Sequence, residues 1–153
     1  MRMPSARAMR RILNLWPPFL FAGIRVLEVS DDFRRARVML KRHWYNRNFV
    51  GTHFGGSLFA MTDPFWMVMT LCRLGDGYIV WDKSAAIEFV EATKAPVFAE
   101  FMLDDATIDE IRAATAGGEK YLRWFETEVR TADGAVVARV RKQVYVRRKR
   151  DAD

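Results

Sequence analysis

Residues 46–75 read NRNFVGTHFGGSLFAMTDPFWMVMTLCRLG, and this stretch decides the fold. It opens as a polar loop carrying Asn46, Asn48 and His53, turns at Gly55-Gly56, and is almost wholly apolar from Ser57 to Leu74. A run of this length, apolar on every side, is a buried helix or a membrane span rather than an amphipathic surface helix. Asp63 stands in its middle, followed by Pro64. A carboxylate there is expensive to bury without a partner or a purpose. Pro64 removes one N–H and frees the Ala60 carbonyl, so a kink is expected.

The flanking sequence alternates with a period of two. Ile24 to Val29 is expected as a first strand, and Phe33 to Lys41 as a second, with Ala36, Val38 and Leu40 on its buried face. Beyond the Gly75-Asp76-Gly77 stop come two short strands, Tyr78–Trp81 and Ser84–Val90, and then Val97–Leu103. Thr107 and Glu110 form a capping box for a helix over Thr107–Ala116, with Ile108 and Ile111 facing inward. Lys120–Thr131 and Ala135–Arg147 are expected as a hairpin through Asp133-Gly134. In its second arm Val136, Ala138, Val140, Val144 and Val146 make the apolar face; Arg139, Arg141, Gln143, Tyr145 and Arg147 make the polar one. Strands on both sides of one apolar helix imply an α+β fold, an antiparallel sheet wrapped around a buried central helix. With an acid and a proline at mid-span, a transmembrane reading fails.

A chain of 153 residues, half of them hydrophobic, is expected to form one domain over residues 1–153, with an N-terminal helical segment (1–22) and a core (23–150). The single cysteine, Cys72, excludes an intrachain disulfide framework and a cysteine metal cluster, and fits a reducing, cytoplasmic setting. The excess of 25 Lys and Arg over 19 Asp and Glu gives a net charge of +6, concentrated at Arg2, Arg7, Arg10 and Arg11 and from Arg139 to Arg150. Such a surface serves solubility or meets anionic partners. The aromatics sit in apolar runs rather than in the stacking pattern of a single-strand binder, so nucleic acid is not an expected partner. Asn14 and Pro17-Pro18 interrupt the apolar stretch near the start, which reads as an amphipathic helix from Ala6 to Leu15, stopped by the prolines. Its apolar side, Met9, Ile12, Leu13 and Trp16, would cover a pocket mouth or a partner subunit; no stable membrane anchor is expected.

The spacing of Asn48, Gly51, Gly55-Gly56 and Asp63 resembles the hotdog-fold thioesterases of the phenylacetate-pathway type. A closer resemblance is to an uncharacterised hotdog branch marked by HFGGSLFAMTDP, LGDGYIVWDKSAAIEF and VARVRKQVYVRRK, running from Trp16-Pro17-Pro18 to Lys149. The resemblance implies a hotdog fold and a dimer or tetramer. It also implies hydrolysis of an acyl-CoA or acyl-carrier thioester without metal or other cofactor, or else non-catalytic binding of an acyl ligand on the same scaffold. In the family the catalytic acid comes from the opposite chain, across paired central helices. Asp63 would then be general base or nucleophile, and Asn48 would orient the water or hold the thioester. The structural alternative for Asp63 is a carboxylate bonded across an interface, to Thr62 or to a basic side chain.

Physical chemistry adds to this. Gly55-Gly56 opening a helix would present N–H groups to a developing oxyanion, with Gly56 as the catalytic donor and Gly55 in substrate contact. His53, Phe54 and Ser57 complete the expected substrate contacts at this helix start. Phe54 stands where related thioesterases carry the histidine of His-Gly-Gly, and His53 lies one position earlier. Arg139, Arg141 and Arg147, on one strand face, are expected to meet coenzyme A phosphates, with Lys142, Arg148 and Lys149 as further basic candidates. Trp81-Asp82-Lys83 reads as structural.

Overall fold

Six strands form one antiparallel sheet in the computed structural model, which describes residues 3–149: β1 (Ile24–Val29), β2 (Arg35–Leu40), β3 (Tyr78–Phe89), β4 (Val97–Met102), β5 (Lys120–Thr131) and β6 (Val136–Arg148). Their order across the sheet is β1-β2-β4-β5-β6-β3. Arg2 and Arg150, part of the basic ends, lie outside the described residues. The alternation of β2 buries Ala36, Val38 and Leu40, and that of β4 buries Val97, Ala99 and Phe101, so one face of the sheet is continuous core.

That face is filled by the apolar run, which forms two helices, α3 (Gly55–Ala60) and α4 (Phe65–Leu74), instead of one kinked helix. Pro64 stands at the N-cap of α4, and the chain tightens ahead of it: the Asp63 N–H returns to Ala60 O (3.1 Å) and the Thr62 hydroxyl donates to Phe59 O (2.8 Å). Below the break, Phe65 stacks on Phe101 (4.5 Å between centroids) and Trp66 on Phe125 (4.6 Å), locking α4 to the sheet.

The helix expected over Ala6–Leu15 is present with those bounds as α1, capped by Ser5. Leu13 is buried, whereas Ile12 and Trp16 stay largely exposed. Asn14, which breaks the apolar run in sequence, bonds both the N–H (2.8 Å) and the carbonyl (3.0 Å) of Val26, covering part of the edge strand β1. The prolines end α1 but also begin a second helix, α2 (Pro17–Ala22), occupying its first two positions, where a missing N–H is harmless.

Two further expectations are corrected. Tyr78–Trp81 and Ser84–Val90 are one twelve-residue strand, β3, because the interruption between Asp82 and Ser84 is a register shift against β6 and not an end. Its other edge is open among the described residues. The minor helix, α5 (Asp105–Ala114), starts two residues earlier than expected. Asp104, not Thr107, caps it by accepting from the Thr107 N–H, and the Glu110 carboxylate turns instead to the Tyr121 hydroxyl and Arg123. Ile108 and Ile111 are buried as expected.

Candidate functional site

The loop before α3 is held by its own asparagines. Asn46, buried, accepts from the His43 N–H (2.6 Å) and donates to Ala22 O (2.8 Å) and Lys41 O (2.9 Å). Asn48 donates to the Thr52 hydroxyl (2.8 Å) and His53 O (3.1 Å) and accepts from the Thr52 N–H (2.9 Å). Its amide is thus engaged in shaping residues 48–53.

His53 is buried, with Nε2 2.7 Å from Ala95 O and its main-chain N–H bonded to Thr93 O. It ties the loop to the segment before β4. Burial pushes the imidazole below its ordinary value of 6.5; the Ala95 carbonyl opposes this and Arg42 adds to it. The unfolded chain takes up a proton near its ordinary value and the folded chain only at lower pH. His53 therefore favours the folded state fully above the unfolded value, and that contribution is lost as pH falls. The urea midpoint is expected to fall between about pH 7 and about pH 5, more steeply than in His53→Gln. Equal slopes would remove His53 as the cause.

At the start of α3, Ser57 and Leu58 donate to Phe54 O, leaving the Gly55 and Gly56 N–H groups uncommitted within the helix. Both glycines are tightly approached. A Cβ on Gly55 would lie 2.8 Å from the Phe89 ring, and one on Gly56 would lie 2.4 Å from the Phe54 ring. Phe54 is exposed and Ser57 buried.

Two grooves flank this helix. One, of about 320 Å³, is lined by Asn48, His53, Gly55, Leu58, Phe89 and Val137 among others. The other, of about 280 Å³, is lined by Trp16, Pro18, Phe19, Gly56, Phe59, Ala60 and Asp63. The structure therefore groups Asn48, His53 and Gly55 on one side and Gly56 with Asp63 on the other.

Asp63 has a basic partner. Lys142, on β6, is only 1 % exposed; its Nζ lies 2.7 Å from Asp63 Oδ1, 2.5 Å from Asp63 main-chain O and 3.0 Å from Asp82 Oδ2. The Asp63 side chain itself is 59 % exposed, so its other oxygen remains open. Asp82 sits at the β3 register shift, and burial raises its carboxyl above the ordinary value, opposed by Lys142 and reinforced by Asp63. Among the described residues its Oδ1 is buried without a hydrogen-bond partner. Lys142, one of the basic candidates for coenzyme A phosphates, shares the register of Ala138, Val140, Val144 and Val146, and a lysine in phase with an apolar face calls for a buried acid. Asp82, read as structural, is the second acid of the cluster.

The three arginines point to the opposite face of the sheet and are not brought to either groove. Arg139 pairs with Glu128 (3.3 Å) and Glu88 (3.5 Å), Arg141 lies over the Trp124 ring (5.3 Å), and Arg147 donates to Gly118 O (2.9 Å).

A family model described as Domain of unknown function (DUF4442) matches residues 5–146. No curated protein matches. A protein of unknown function from Pseudomonas aeruginosa, called a probable thioesterase, is 18% identical, with 97% of this chain and 99% of that one covered at a TM-score of 0.84. A thioesterase from Haemophilus influenzae is 11% identical over 95% and 92% of the two chains, TM-score 0.68. A mutant thioesterase from Pseudomonas aeruginosa is 11% identical over 97% of each, TM-score 0.69. At these identities the likeness establishes the architecture, a thioesterase-like hotdog fold. No helix among the described residues is long and apolar enough to cross a membrane.

Proposed function

From a chain that belongs to the DUF4442 family and has the hotdog fold, we propose a hydrolase of acyl thioesters, acting on acyl-CoA or an acyl-carrier. The observation that carries this reading is the apolar groove that holds both the free N–H end of α3, at Gly56, and the solvent-open carboxylate of Asp63. A thioester carbonyl aimed at the Gly56 N–H would have its developing oxyanion stabilised. With only six residues, α3 offers these local N–H donors more than a long-helix dipole. Asp63 would take a proton from water, or attack the carbonyl directly to give a mixed anhydride and the free thiol.

Within one chain Gly56 and Asp63 line the same groove from the start of α3 and from the link beyond its end, and in the hotdog thioesterases that this sequence resembles the acid faces the helix start of the opposite chain. We therefore assign the acid to the second subunit of a dimer. The open edge of β3 and the exposed Trp44, Phe49, Val50 and Phe54 provide surface for that copy. Light scattering is expected to give a dimer or a tetramer; an active monomer would exclude the two-subunit site.

A second reading, a non-catalytic acyl-ligand binder, is favoured by the Lys142 contact, which by itself suits a structural acid. A thiol-release assay over short, medium, long and aromatic acyl-CoAs separates the two. Turnover supports the hydrolase, and saturable binding without turnover supports the binder.

A further inference from the structure

We propose that Lys142 is a positioning residue for the thioesterase reaction, holding Asp63 by its main-chain carbonyl and Oδ1 so that Oδ2 is the oxygen offered to substrate. The inference rests on the hydrolase reading given above. An ammonium has three N–H donors, and here each has an acceptor: Asp63 O, Asp63 Oδ1 and Asp82 Oδ2. Two of the three go to the same residue, which fixes both the backbone and the side chain of Asp63. The main chain here is also held by the Asp63 N–H bond to Ala60 O, but the carboxylate, more than half exposed, would turn freely without Lys142.

Stability alone does not account for the arrangement. Lys142 interrupts an otherwise apolar strand face, and buried ion clusters are often matched or bettered by apolar side chains of similar volume. Asp82 supplies the second carboxylate, from a neighbouring strand, that keeps the cation in place when Asp63 changes partners during a reaction. Among the described residues Asp63 Oδ2 has no hydrogen-bonding partner, so the contact that anchors the carboxylate leaves its reactive oxygen clear.

The test is a double-mutant cycle on thiol release, with wild type, Asp63→Asn, Lys142→Met and the double variant compared by kcat and KM. A base displaced by about an ångström loses on the order of 10²-fold in rate, so Lys142→Met is expected to lower kcat by about that factor with KM within about threefold. The double variant is expected to be no slower than Asp63→Asn alone, because Lys142 acts only through Asp63. Lys142→Gln, which retains an N–H donor, is expected to recover part of kcat. If the Met variant is unfolded by circular dichroism, the Gln variant carries the same cycle. A kcat near wild type in a folded Lys142 variant, or losses that add in the double variant, overturns the proposal while leaving the hydrolase intact. Absence of thiol release from wild type with every acyl-CoA and with acyl-carrier-protein thioesters overturns the hydrolase reading and this proposal together.

Discussion

Asp63→Asn is expected to lower thiol release by about 10²- to 10⁴-fold, the range supplied by a positioned base, and by more if the carboxylate is the nucleophile. The substitution is close to isosteric. An Asn carbonyl can still accept from Lys142, and the side chain is mostly exposed, so the far-UV circular dichroism spectrum and thermal midpoint are expected to stay near wild type. What is removed is the ability to take a proton or to form an acyl bond. A loss confined to kcat would place the role in the chemical step; a rise in KM alone would assign Asp63 to binding. Undiminished turnover in a folded Asp63→Asn protein would end the case for this residue.

Gly23→Ala is expected to be the most damaging small change to the fold outside the core. Gly23 closes α2 with φ +77°, in the left-handed region, where any Cβ is disfavoured by about 1–2 kcal/mol. The added methyl would also lie 2.4 Å from Asn46 Nδ2 and 3.0 Å from Lys41 O. Asn46 cannot swing aside freely, because its amide bonds three main-chain groups across the α2–β1 junction and the entry to the 46–54 loop. Losing part of that network adds about 1 kcal/mol per hydrogen bond. Together these give about 3 kcal/mol, or a fall of about 6–12 °C in Tm for a domain of this size. Gly23→Asn, which tolerates left-handed backbone better, would remove less of the midpoint only if the clash is the smaller part. A Tm within about 1 °C of wild type in Gly23→Ala would show that the junction relaxes without loss.

How much of this was legible in the sequence depended on whether the decisive contact was local. β1, β2, β5 and β6 lie within two residues of their expected bounds, β1 and β5 in spite of a register shift in each, and α1 within none. The register shift after Asp82 makes one strand, β3, look like two in the sequence, and Pro17-Pro18, expected as a stop, also starts α2. The central run gave the right burial and the right site of distortion at Pro64, but not a complete break. In the site, Asp63 stood out because an acid in an apolar run demands an explanation. Its partner did not, because Lys142 lies 79 positions away among arginines whose charge masked its phase. The anchoring of His53 to Thr93 and Ala95 is likewise a contact between distant segments that no local pattern announces.

The buried lysine bears on how this chain can be engineered. Selection for heat resistance alone would favour replacing Lys142 and its more buried partner Asp82 with apolar groups of matching volume, since such exchanges of buried ion pairs are commonly neutral or gain about 1–4 kcal/mol. A hardened variant of that kind would keep its sheet and its grooves and lose the group that sets the acid's aim. On the proposed role of Lys142, robustness and activity meet at one side chain, and a programme to improve the first would hold Lys142 fixed.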